Sequence, residues 1–111
     1  MKHALYTDGA ARGNPGHSGA GICIQDDKGI VVCELSRYLG KGTNNVAEYK
    51  ALLLGLKAAH KLHIKDISIY ADSQLMVFQI HGKYQVKNEH LKKLHNQAMG
   101  MLKAFNYRIM Y

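Results

Sequence analysis

The 111-residue chain has no tryptophan, two cysteines, eight acidic residues and no long apolar run. Each shortage excludes something. A membrane helix needs ~18 or more apolar residues in a row, and no stretch approaches that. Cys23 and Cys33 lack the close C-x-x-C spacing of a zinc or redox motif. They fall in neighbouring predicted strands, so buried free thiols are expected, which favours a cytoplasmic protein. Met1-Lys2-His3 runs straight into a strand rather than into an apolar signal segment. Seven histidines show no H-E-x-x-H or similar spacing, so they read as surface residues and zinc is not expected. Repeats, low-complexity tracts and linkers are absent too, and residues 1–111 read as a single domain.

Positive charge is what the chain has in excess. Fifteen Lys and Arg against eight Asp and Glu give +7 at pH 7. That balance suits a polyanionic partner, nucleic acid before an anionic membrane, because no strongly basic amphipathic helix is apparent. The alternative is that surplus lysine only keeps a small domain soluble.

The pattern along the chain alternates between strand and helix periods. Residues 3–8 alternate as a strand that ends on Asp8 and opens into the glycine-rich stretch 9–16. Residues 19–25 and 30–38, joined by the Asp26-Asp27-Lys28-Gly29 turn, predict a β-hairpin. Gly40-Lys41-Gly42 is expected to break the sheet. From Thr43 the period becomes helical, with Ala47, Ala51, Leu54 and Ala58 at helical spacing and Leu52, Leu56 and Leu62 widening the face. Asn44 or Asn45 is the expected N-cap.

This helix is long enough for a right-handed crossover, which lets the strand at 66–71 lie parallel to the first. That strand ends on Asp72, where a short helix follows from Ser73 to about His81. A second amphipathic helix opens at Asn88, with Leu91, Leu94, Ala98, Met101 and Leu102 as its buried stripe. A final strand occupies 105–111. The order βββαβααβ predicts an α/β fold, a mixed five-stranded sheet in the order 3-2-1-4-5 with strand 2 antiparallel, flanked by helices.

In that arrangement Asp8 and Asp72 finish adjacent parallel strands, and Glu48 lies one turn into the crossover helix at the same end of the sheet. Three converging carboxylates repel one another unless a cation neutralises them, and oxygen-only ligands suit Mg²⁺ or Mn²⁺. Two such ions can activate a water and stabilise the leaving oxygen of a phosphodiester. Each residue also has a plain structural reading. Asp72 can cap its helix, Asp8 can start an Asx-turn, and Glu48 stands three after Asn45 as in a capping box. On residue chemistry alone both readings stay open.

Three blocks carry a resemblance: Tyr6-Thr-Asp-Gly-Ala-Ala-Arg-Gly-Asn-Pro-Gly16, Thr43-Asn-Asn-Val-Ala-Glu-Tyr-Lys-Ala51 and Tyr70-Ala-Asp-Ser-Gln74. They resemble the signature blocks of type I ribonuclease H, and Val86-Lys-Asn88 resembles a fourth. The resemblance runs from the first strand to the last, in the family's order and spacing. It implies an endoribonuclease that cleaves the RNA strand of RNA–DNA hybrids with two divalent ions, Mg²⁺ or Mn²⁺, leaving a 3′-hydroxyl and a 5′-phosphate. Asp8 would bridge both ions, with Glu48 and Asp72 completing the one on the leaving-group side. Thr43, Asn45 and Asn88 would take a phosphate of the DNA strand, and Asn14, Asn44 and Gln74 would touch the minor groove. The backbone at Gly13 would approach the RNA.

Two departures shape the expectation. The family's basic, tryptophan-rich insertion before Val86 is missing, which resembles the compact microbial branch. No acid follows Glu89, so the family's fourth carboxylate, carried at the start of a C-terminal helix, has no counterpart. The resemblance therefore predicts a C-terminally truncated domain with impaired cleavage. A module that binds RNA–DNA hybrid or RNA without turnover is the alternative. Without that helix, Ile109 and Leu56 are expected to be partly bared and to promote self-association.

Overall fold

A computed structural model describes residues 1–111. The hydrophobic alternation of the first third produces β1 (Lys2–Ala11), β2 (Gly16–Gln25) and β3 (Val31–Gly42), and the helical period produces α1 (Asn44–Lys61). Then come β4 (Asp66–Ala71), α2 (Gln74–Ile80), α3 (Glu89–Leu102) and β5 (Asn106–Met110). The five strands form one sheet in the order β3-β2-β1-β4-β5. β2 is antiparallel to both β1 and β3, whereas β4 is parallel to β1 and to β5. This is the predicted mixed sheet.

All three helices serve one face of that sheet. Leu5, Ile22, Ile24, Ile67, Ile69 and Ile109 point into the core there, all at most 4% exposed. α1 is buried on several sides at once, because it lies between the sheet and α3 and contributes Tyr49, Leu52, Leu56 and Ala59. Gly55 lets it settle on Leu5, whose side chain would clash with a Cβ at that position. The opposite face shows Tyr6, Asp8 and Tyr70, with Tyr6 and Tyr70 stacked at 5.0 Å between ring centroids. No helix is long and apolar enough to cross a membrane.

The structure departs from expectation in several places. β1 continues past Asp8 to Ala11, opposite Ser18, and β3 passes through Gly40 rather than stopping there. A register shift beside Ser18 and the left-handed conformation of Gly40 (φ 82°) absorb the irregularity. Leu62 caps the C-terminus of α1 and is 45% exposed, and Leu54 is only half-buried. Ile109 and Leu56, expected to be bared, are 4% and 0% exposed. Both belong to the face that α1–α3 cover. The cysteines are free but half-buried. Cys23 pairs with Glu34 and Cys33 with Ile24, so the two thiols sit on opposite faces of the sheet.

Candidate active site

The parallel register of β1 and β4 is what brings the acids together. Thr7 lies opposite Ala71, so Asp8 and Asp72 are each one residue beyond the last matched pair, at the carboxyl end of the sheet. Both side chains are exposed. Asp8 borders an open cleft of about 550 Å³ shared with Gly19, Gly21, Ser36 and Tyr38. Glu48 arrives from α1 and is half-buried.

A backbone contact sets its position. A methyl group on Gly9 would overlap the carbonyl of Ala47 and the amide of Glu48. Only glycine lets the first turn of α1 rest against β1, one residue after Asp8. The glycine directly following the aspartate was the available sequence signal, and its partner 38 positions on could be named only from the fold.

The plain structural roles for the three acids fail one by one. The N-cap of α2 is Ser73, whose Oγ accepts from the Met76 amide at 3.1 Å, so Asp72 is not the cap. The N-cap of α1 is Thr43, accepting from the Val46 amide at 3.3 Å, rather than Asn44 or Asn45. A capping box counted from Thr43 would close on Val46, so Glu48 is not part of one. Asp8 lies inside β1 opposite Gly21, not in an Asx-turn. No hydrogen bond or salt bridge within the chain uses the three carboxylates as a cap, turn or ion pair.

Burial pushes the Glu48 carboxyl above its ordinary value, and the charges of Asp72 and Asp8 push it the same way. The hydroxyl of Ser73 works in the opposite direction. Ser73 is a second residue that sequence reading missed, because it looked like the follower of a capping aspartate. The side chains as they stand do not close into a group of three or more acids or other ligands that could hold a metal ion. The three side chains offer oxygen donors only, the type that hard cations take, and carry surplus negative charge.

The expected nucleic-acid residues surround this spot in two ways. Asn14 and Asn44 are joined: the Asn44 amide donates to Asn14 Oδ1 at 3.2 Å, and the Ala11 amide donates to Asn44 Oδ1 at 2.7 Å. These bonds hold the 11–16 turn, where Gly13 takes φ 77°, against the start of α1. They engage the side-chain oxygens and leave both NH₂ groups without a protein acceptor. Gln74 is exposed as the first residue of α2, beside Asp72.

Asn88 is the N-cap of α3, accepting from the Leu91 amide at 3.0 Å, and Asn45 is exposed in the first turn of α1. Thr43 and Asn88 are thus both N-caps, and no hydrogen bond links Asn88 to Thr43 or Asn45. The chain's one salt bridge is the exposed pair Lys92–Glu89, so the remaining Lys and Arg have no carboxylate partner.

Known proteins share both sequence and architecture. Residues 6–110 match a family described as reverse transcriptase-like. A ribonuclease H1 from Halobacterium salinarum superposes with a TM-score of 0.95 at 34% identity, over 99% of this chain and 84% of that one. The chain belongs to the ribonuclease H1 family. A compost-metagenome ribonuclease H1, solved in complex with an RNA/DNA hybrid, superposes with a TM-score of 0.91 at 37% identity, over 97% and 83% of the two chains. A bifunctional protein of Mycobacterium tuberculosis is 40% identical over 112 residues. All of this chain is covered in that match but only 30% of the relative, so the chain spans less than a third of its length. The ribonuclease H1 match thus extends across the whole sheet and all three helices.

Proposed function

We propose that the chain is an endoribonuclease that cleaves the RNA strand of RNA–DNA hybrids, with Asp8, Glu48 and Asp72 holding Mg²⁺ or Mn²⁺. The observation that carries this reading is the trio itself. Asp8 and Asp72 lie side by side at the carboxyl end of β1 and β4, none of the three acids performs a capping or turn role, and Glu48 is raised by burial and, to a smaller extent, by the charges of Asp72 and Asp8. Membership of the ribonuclease H1 family supports the same assignment.

Two divalent ions bound there would lower the pKa of an attacking water and stabilise the leaving 3′-oxygen. The chain's own groups do the rest. Asp8, Glu48 and Asp72 would supply the carboxylate oxygens that hold the ions. The freed NH₂ groups of Asn14 and Asn44, with Gln74, donate to the 2′-hydroxyl edge that separates RNA from DNA. Thr43, Asn45 and Asn88 present hydroxyl and amide donors at helix starts to a DNA-strand phosphate. Gly13 keeps the 11–16 turn slim where the RNA backbone passes. Unpaired lysines and arginines supply the salt-dependent part of binding.

The test is cleavage of a labelled hybrid with Mg²⁺ or Mn²⁺ present, alongside thermal melts with and without the ion. Wild-type protein should cut the RNA strand, prefer hybrid to double-stranded DNA, and melt higher with Mg²⁺. Asp8→Asn should lose cleavage and the metal-dependent rise while keeping its circular dichroism. Full activity in Asp8→Asn would remove Asp8 from the mechanism. Tight hybrid binding by wild type without cleavage would replace the enzyme with a binding module.

A further inference from the structure

On the helix side of the sheet, far along α1 from the acids, β3 overhangs the helix layer and leaves a groove of about 580 Å³. Its floor is apolar: Leu35 from β3, Leu54 from α1, Leu62 at the C-cap of α1, and Met101 from α3. Leu35 pairs with the core residue Ile22, so it faces the helices, yet it is 37% exposed because α1 does not reach over it. Leu62, at 45%, is exposed as well. Two large aliphatic side chains are thus held open to water in one groove, with the half-buried Leu54 between the exposed positions.

The rim has one sign of charge. Arg37, Lys57 and Lys61 border the groove with His60, and no acidic residue lines it. None of these cations has a salt-bridge partner. Glu34, the nearest acid along β3, pairs with Cys23 and points to the opposite face of the sheet. An apolar floor that gains by losing water, ringed by unneutralised cations, discriminates by both body and head. A neutral apolar molecule would satisfy the floor alone, and an inorganic anion the rim alone.

The geometry points to a binding site for a small amphipathic anion, an aliphatic or aromatic body carrying one carboxylate, sulfonate or phosphate head. The body lies between Leu35 and Leu62 over Leu54 and Met101. The head meets Lys57 and Lys61, which project from the same side of α1 one turn apart. The volume falls in the range of small-molecule sites, roughly 300–1,000 Å³. Residues 57–62 stand more than two helical turns beyond Glu48, so occupancy needs none of the proposed cleavage chemistry.

Octanoate and 1-octanol, titrated by calorimetry with methyl NMR of the leucines and Met101, separate body from head. Octanoate should bind saturably at one site, about tenfold or more tighter than 1-octanol, with shifts at Leu54, Leu62 and Met101. Lys57→Glu/Lys61→Glu, both exposed positions, should bring octanoate down to the level of 1-octanol. Leu62→Gln should weaken both probes and leave the circular dichroism unchanged. Equal affinity for octanoate and 1-octanol, absence of saturable binding, or octanoate binding untouched in the charge-reversed variant would overturn the site. Hybrid cleavage is not read in any arm, so failure here says nothing about Asp8, Glu48 and Asp72.

Discussion

Glu48 titrates where its protonated form is favoured, and the sign of the resulting stability effect follows. Its folded-state value lies above the ordinary 4.5, so between the two values the native chain holds more protons than the unfolded one. Stability contributed by this group therefore falls as pH rises through that window, and the full penalty is present above the folded-state value. Without divalent ions, Glu48→Gln should raise the melting temperature near neutral pH, and the gain should vanish below the ordinary carboxylate range. Melts in a chelator across pH check this, and an unchanged profile would mean that neither burial nor the charges of Asp72 and Asp8 strain Glu48. Gly9 is the other residue on which the site turns. Gly9→Ala forces β1 and α1 apart and should cost about 1–3 kcal/mol by urea unfolding. It should also weaken Mg²⁺ stabilisation, because it separates Glu48 from Asp8.

At the scale of elements, α1 is tied to both ends of the site. Thr43 starts it, Asn44 pins the 11–16 turn to it, and Tyr49, next to Glu48, anchors it inward. The Tyr49 hydroxyl donates to Gln79 Oε1 of α2 at 2.6 Å, in a burial that pushes its pKa up to about 12. The Gln79 carbonyl meets His95 Nε2 of α3 at 3.2 Å, so one glutamine joins all three helices. Tyr49→Phe keeps the ring but leaves a buried acceptor without its donor. A loss of about 1–3 kcal/mol in urea unfolding is expected. No loss would show that water or a rearranged Gln79 replaces the bond. Because α2 begins beside Asp72, loosening this tie should also reduce Mg²⁺ affinity more than a surface change of equal cost.

For the whole molecule, the one-sided helix layer decides which surface two copies could share. The sequence placed self-association on Ile109 and Leu56, but these are core residues. The face without helices offers instead the stacked Tyr6 and Tyr70, 43% and 39% exposed. If the chain self-associates, Tyr6→Ser/Tyr70→Ser should abolish it, because those rings are the large apolar groups at the centre of that face. Light scattering at high concentration reads the outcome. A wild-type monomer ends the idea of self-association, and a dimer that survives the double change moves it to another surface.

What the sequence determined by itself was everything that depends on period and order. Alternation at 19–25 and 66–71, helical spacing from Ala47 onward, and a crossover of sufficient length pointed to the strand order and the parallel pairing of β1 with β4 that the sheet has. From that pairing alone Asp8 and Asp72 had to be neighbours. Local competition between similar residues was not legible. Thr43 rather than Asn44 caps α1, and Ser73 rather than Asp72 caps α2, because the choice rests on backbone angles that a polar run leaves open. Only the tertiary structure decided contacts between distant segments. Gly9 against Ala47, Tyr49 on Gln79, and a β3 that outruns α1 to expose Leu35 all join residues whose sequence carries no record of one another. Periodicity says which side of an element is apolar, and only packing says how far its neighbour reaches to cover it.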